Sequence, residues 1–292
     1  MFADFKWVAR AYSEFANAPR GYLNRWGNSI FFGEPSNVYW DPGFIRQVFT
    51  DPISRTLPKG NKCVIGDFGA GDGHVSEIVG SQMKQLYDCH ISPIGIDRYD
   101  EDLWREKPKP IIKTVQGDLK DLPFALDSFH AGILSFVLFF IGEKEQRLVL
   151  EQIHNVMKDN AVLVVLNYGA FSEDKTAKAY NKLLSGYVAA ADRRSIDEVV
   201  AENRYTSCEK LGVMAREAHF GVLSMTDLTN AAFGYTSPEI YGRAARFKDD
   251  QLAILEKLYK ECKQEGIIPF ERDSLRAIRP MYTCVLQKKP SP

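Results

Sequence analysis

From Lys62 to Asn167 short apolar runs alternate with stretches of helical periodicity, and that alternation constrains the fold of this 292-residue chain more than any other feature. The runs cover 63–68, 94–97, 111–116, 130–137 and 161–167. Between them 75–86 and 144–157 read as helices, the second with Val149, Ile153 and Val156 on one apolar face. Short buried strands separated by crossover helices predict an α/β fold, a Rossmann-like doubly wound parallel sheet. Further strands are expected over 220–225 and 281–287, and a helix over 249–262 with Leu252, Leu255, Leu258 and Cys262 in a stripe. Residues 172–218 look mostly helical.

Composition narrows the class. With 37 basic and 38 acidic residues the net charge is −1, which gives no pull toward nucleic-acid backbones or anionic membranes. The five cysteines are scattered singly without a CxxC pair, which fits a reducing, cytoplasmic setting. The first residues carry Asp4, Lys6, Arg10 and Glu14 inside an amphipathic helical pattern, which argues against a secretory signal. The apolar run 131–141 is shorter than the roughly 20 residues a membrane-crossing helix needs. Aromatic residues, among them Trp7, Trp26 and Trp40, crowd the N-terminal segment into a cap.

The first run ends in VIGDFGAGDGH, residues 64–74. A strand that closes on Asp67 and turns through Gly69, Gly71 and Gly73 into a helix brings bare backbone to the carboxyl edge of the sheet. A dinucleotide fingerprint would put its third glycine at 74, where this chain has His74. Asp67 and Asp72 flank the turn and would repel a pyrophosphate. They suit a ligand that is cationic and free of phosphate, such as S-adenosylmethionine, whose carboxylate the turn's amides could meet. Asp97 ends the second run, where a carboxylate can accept both ribose hydroxyls, a role shared with NAD sites. Asp118 could accept from an adenine amino group, with Leu119 donating its amide.

At this point residues 60–167 resemble the class I S-adenosylmethionine-dependent methyltransferases, particularly the group that includes ubiquinone and menaquinone biosynthesis enzymes. The resemblance lies in DFGAGDG (67–73), GID (95–97), GDLKDLPFALDSF (117–129) and ILSFVLFF (133–140), and more loosely in AREAHFGVL (215–223) and YTSPEIYGRA (235–244). Two departures are His130, where the family often has aspartate, and Lys158-Asp159-Asn160-Ala161 in place of Lys-Pro-Gly-Gly; Asn160 can still take the left-handed turn. The resemblance implies a seven-stranded, mostly parallel sheet with an antiparallel last strand. It further implies S-adenosyl-L-methionine as cofactor, held by Asp67, Phe68, Gly69, Ala70, Gly71, Asp97, Arg98, Gly117, Asp118, Leu119, Ser135 and Phe136. A single domain is expected: an aromatic helical cap over 1–58, the cofactor core over 59–168, a helical insert for substrate with the sixth strand over 169–275, and the last strand and tail over 276–292.

Methyl transfer from a sulfonium is an in-line displacement with an activated donor, so alignment does most of the work, about 7–11 kcal/mol of the barrier. No catalytic triad is needed. A small-molecule acceptor is expected, its pocket built from the aromatic N-terminus, Asn167 and the insert, with Tyr12, Tyr22 and Tyr168 as candidate contacts. If a hydroxyl accepts the methyl group, His74 is a candidate base. The other histidines fall on the wrong edge of the sheet or away from the active one. Asp118 has a helix N-cap or turn former as its weaker alternative reading, and Phe136 reads equally as core. No metal is expected, since no ligand cluster is present. An RNA or protein methyltransferase, a non-catalytic binding subunit and an NAD-dependent dehydrogenase remain alternatives. Against base methylation stands SFVLFF, which lacks an Asp/Asn-Pro-Pro-Tyr/Phe signature. The insert could serve as lid, as homodimer surface, or both.

Overall fold

The computed structural model describes residues 42–57, 60, 62–71, 73–98, 113–173, 175, 182, 185, 189, 194–202, 205–228, 257, 260, 261, 264 and 281–290. Seven strands form one sheet: β1 (Lys62–Phe68), β2 (His90–Asp97), β3 (Lys113–Gln116), β4 (Phe129–Ser135), β5 (Met157–Tyr168), β6 (Phe220–Asp227) and β7 (Met281–Lys288), in the order β3-β2-β1-β4-β5-β7-β6. β1 lies parallel between β2 and β4, β3 and β5 extend the parallel part, and β7 runs antiparallel between β5 and β6. The expected doubly wound sheet with an antiparallel last strand is therefore present. Strand order reverses at β1, so the crevice between the carboxyl ends of β1 and β4 is the topological switch point.

Both faces of the sheet are covered. On one, a helical segment over 42–54 and helix α1 (His74–Tyr87) pack Val48, Phe49, Ile53, Val75, Val79 and Met83 onto Ile65, Ile133 and Val164. On the other, α2 (Glu143–Val156) and α4 (Cys208–Glu217) pack Val149, Leu150, Ile153, Leu211 and Ala215 onto Phe68, Leu134, Leu163 and Cys284. The short α3 (Ile196–Ala201) precedes α4. Double coverage explains why the central strand reads as one apolar run: Val162, Leu163, Val164, Val165 and Leu166 are all wholly buried.

Element boundaries follow the sequence pattern with instructive exceptions. β2 starts four residues before the expected run, at His90, and contains Pro93. Pro93 stands opposite Ile65 of β1, while pairing with β3 begins only at Ile94, so the missing N–H faces the side without a described partner. β4 stops at Ser135, before the expected 137, because Phe136 takes φ 54° and the chain enters a 3-10 turn at Leu138–Phe140. Asn160 sits at φ 62°, the left-handed conformation expected of it, but inside β5 where the register with β4 shifts rather than in a turn before the strand. In the segment expected to be mostly helical, α3 begins with a capping box between Ser195 and Glu198, and α4 with the Ser207 hydroxyl accepting from Lys210 N at 3.1 Å. The predicted N-terminal helix and nearly all of the predicted 249–262 helix lie outside the described residues. No described helix is long and apolar enough to cross a membrane.

Candidate active site

The register of the parallel strands brings the sequence-selected residues to one level. Asp67 stands opposite Gly95 and Ile133, so Gly69, Asp97 and Ser135 leave three adjacent strands side by side. Gln116 pairs with Asp97 and Leu166 with Ser135, which adds Gly117 and Tyr168 just beyond that level.

The glycine turn is braced from two sides. Its Gly69 and Ala70 N–H groups both donate to Ile96 O, at 2.7 and 3.1 Å, and Gly71 N–H donates to the Asp97 carboxylate at 2.9 Å. Gly73 N–H closes the turn onto Ala70 O at 2.8 Å, at φ 73°, and α1 starts at His74. These four amides are thus spent inside the fold, contrary to the expectation that the turn would offer them to a ligand carboxylate. What the turn does offer is bare Cα atoms. At Gly69, φ is 82° and a Cβ would overlap Val137 Cγ2, so glycine is required both by the dihedral and by the close approach of the β4 exit.

Asp67 is buried, and the Ser76 hydroxyl of α1 donates to it. The carboxylate so placed ties strand to helix beneath the turn. Asp97 is buried, and its main-chain carbonyl takes the Gly117 N–H of the β3 exit at 2.8 Å. Asp118 Oδ1 accepts from Lys120 N at 3.0 Å, a local Asx turn that realises the structural role weighed for it. Leu119 is buried in the core on the α2 face. Phe68 also belongs to that core, with its ring edge-on to Phe129 at 5.5 Å between centroids. Arg98 follows β2 and is exposed.

At the β4 exit the geometry is unusual. Ser135 is buried, and its hydroxyl has no hydrogen-bond partner among the described residues. Phe136 holds a left-handed dihedral that bulky side chains avoid, at φ 54°. It is kept there by its N–H donating to Leu166 O at 2.7 Å and by its ring stacking on Tyr168 at 4.4 Å. Phe139 adds a contact to Tyr168 at 5.4 Å and lies parallel to Tyr205 at 6.0 Å. Tyr205 was not selected from sequence, and no local pattern distinguishes it. Tyr12 and Tyr22, the other tyrosine candidates, and Asp72 lie outside the described residues. His74 is the first residue of α1 and half-buried.

Elsewhere, His130 is the second residue of β4 and His219 precedes β6, both at the amino edge, and His154 lies late in α2. Cysteines that look solitary in sequence are neighbours in space, Cys63 with Cys89 and Cys208 with Cys284. All four are buried and reduced. Burial and the neighbouring thiol push Cys89 up to about 11, and the neighbouring thiol and burial push Cys208 up as well, so these two are not nucleophiles.

Residues 66–165 match the family model described as a methyltransferase domain. The fold is similar to that of the [4+2]-cyclase SpnF (TM-score 0.59, 15% identity, covering 97% of this chain and 96% of that one). It is equally similar to a candidate methyltransferase from Bacillus halodurans C-125 (0.59, 15%, 86% and 99%). A third likeness is to Haemonchus contortus phosphoethanolamine N-methyltransferase 2 in complex with phosphomonomethylethanolamine and S-adenosylhomocysteine (0.51, 12%, 96% and 56%). The search of curated proteins gives no match. The chain therefore carries a methyltransferase domain over residues 66–165, within a fold shared by methyltransferases. Its cofactor is accordingly S-adenosylmethionine.

Proposed function

We propose that the chain methylates a small-molecule acceptor at the crevice where β1, β2 and β4 end. The observation that carries this reading is the common level of Gly69, Asp97 and Ser135, with the turn between them braced by Asp97 itself. When bound, the cofactor supplies an activated methyl group on a sulfonium. The chain's task is then alignment and exclusion of water.

The roles of the residues follow from their positions. Gly69, Ala70 and Gly71 let a ligand approach the backbone without side chains intervening. Asp67, beneath the turn, and Asp97, beside it, supply the negative charge that favours a cationic nucleoside over a diphosphate. Asp97, a carboxylate with two acceptor oxygens at the end of β2, is placed to take ribose hydroxyls. Phe68, Arg98, Gly117, Asp118 and Leu119 shape the adenosine side, and Ser135 and Phe136 the side where the methyl group leaves. Tyr168 stacks behind Phe136, so the acceptor meets an aromatic wall, which supports an acceptor with an apolar part. His74 and residues 12 and 22 complete the reading as candidate base and cap contacts, with the remainder of 169–275 covering the site as lid or subunit contact in a cytoplasmic enzyme.

Since one structural neighbour is a [4+2]-cyclase, this fold also serves other chemistry. The deciding assay therefore reads S-adenosylhomocysteine formation across a panel of small amines, phenols and acids. Calorimetric titration with S-adenosylhomocysteine and with NADH precedes it. Binding of the former alone is expected; binding of NADH alone overturns the reading.

A further inference from the structure

We propose that Gln146 is a positioning residue for the cofactor site, acting through the turn that follows β4 on the wall that Val137 presents to Gly69; this rests on the cofactor reading above. Gln146 lies in the first turn of α2 and is wholly buried. Both amide hydrogens are used on one short segment: Nε2 donates to Leu138 O at 3.1 Å and to Ile141 O at 2.9 Å. Its Oε1 accepts from the Thr206 hydroxyl at 2.7 Å.

The bonds continue away from the site into the sheet. Thr206 O accepts from the Tyr282 hydroxyl of β7 at 3.0 Å, and that hydroxyl accepts from Asn167 Nδ2 of β5 at 3.3 Å. Glycine at 169 is part of the same fit, since a Cβ there would overlap Thr206 O. Gln146 is thus tied to β5 and β7 through Thr206 and Tyr282 at its oxygen end while its nitrogen end grips the turn 138–141. That turn directly follows Val137, whose Cγ2 occupies the space a Cβ on Gly69 would need. It also carries Phe139, packed against Tyr168. Displacing the turn moves Val137 against or away from the glycine turn. A buried glutamine saturating three partners fixes where that wall stands, which an apolar side chain of equal length cannot do.

A purely structural glutamine would lower stability when replaced and leave ligand affinity alone, so the test separates the two. Gln146→Met keeps length and burial and removes all three bonds. Val149→Ala, one turn further along α2, loosens the same helix in the core it shares with Leu138 and removes none of the three bonds. Each is titrated calorimetrically with S-adenosylhomocysteine well below its own melting temperature. Gln146→Met is expected to weaken binding by about tenfold or more, while Val149→Ala stays within about twofold at a comparable loss of Tm. Equal affinities for Gln146→Met and wild type, or an equal loss in Val149→Ala, overturn the proposal. If Gln146→Met does not fold, Thr206→Val decides, since it releases only the oxygen end: a loss of about threefold supports positioning, and unchanged affinity overturns it. Wild-type protein that fails to bind S-adenosylhomocysteine overturns the cofactor reading itself, and this proposal with it.

Discussion

The two edges of the sheet use the same backbone conformation with different residues. At the amino edge, Asp88, Asp127 and His219 take positive φ in the turns that enter strands, and Asn160 does so in the irregular start of β5. Short polar side chains of these types visit that region at low cost, so each turn is locally specified. At the carboxyl edge the non-glycine residue in that region is Phe136, which gains no local hydrogen bond from its side chain. Its strain, on the order of 1–3 kcal/mol, is held by the Leu166 carbonyl and by Tyr168. Polar satisfaction differs likewise. Lys288 at the amino edge is buried yet donates to Met157 O and Asp127, at 2.8 and 2.9 Å, whereas the Ser135 hydroxyl at the carboxyl edge is left without a described partner. One edge is built for stability and the other spends stability on a site.

Two pairs of substitutions would break that contrast. Gly69→Ala adds a Cβ at φ 82° into Val137, and is expected to cost about 3 kcal/mol in strain and overpacking and to abolish S-adenosylhomocysteine binding. Gly60→Ala, at φ 74° with open space around it, should cost only about 1–2 kcal/mol and leave binding unchanged. Chemical denaturation with calorimetry on both variants checks this; equal losses of affinity would show that the glycine turn has no special role. Next in size, Asp97→Asn keeps an oxygen for Gly71 N–H and removes the charge. We expect affinity to fall by about tenfold or more, roughly the worth of a charge-assisted bond, with Tm little changed.

How legible all this was in the sequence depends on the range of the signal. β1, β4, α1 and α2 were placed nearly to the residue because their apolar periodicity is local. The early part of β2 was hidden by Pro93, which reads as a strand breaker until β1 is known to supply the pairing on its other side. The glycine turn and Asp97 were legible as types in order along the chain, but not their mutual bond, which spans 26 positions and consumes an amide expected to face the ligand. The meeting of Gln146, Thr206 and Tyr282 has no local pattern behind it, since they are 60 and 76 residues apart in sequence. A faint signal existed: Gln146 falls on the same face as Val149, Leu150 and Ile153, a polar residue where the helix stripe calls for an apolar one.

At the amino edge Lys288→Met tests stability without function. It strands the Met157 carbonyl, while the partly exposed Asp127 loses little. Unfolding free energy should drop by about 1–2 kcal/mol with S-adenosylhomocysteine affinity unchanged. A fall in affinity as large as that of Asp97→Asn would erase the division between the edges.

The smallest effect concerns His130, on the same amino edge. Its Nδ1 accepts the Val64 N–H of β1 at 3.1 Å, which requires the neutral ring. Burial, and then the charge of Lys158, lower its proton affinity in the fold. The unfolded chain therefore binds the proton more readily, and stability rises with pH across the interval between the two values. The contribution is complete above the ordinary histidine value of about 6.5 and is lost as pH falls from there through the lowered folded value. His130→Gln places an amide oxygen near the same N–H and cannot titrate. Its unfolding free energy should change less steeply than that of wild type between about pH 7 and pH 5, with cofactor affinity equal in the two proteins. An identical slope would mean that the ring is not held neutral by the strand, and a changed affinity that this edge reaches the site after all.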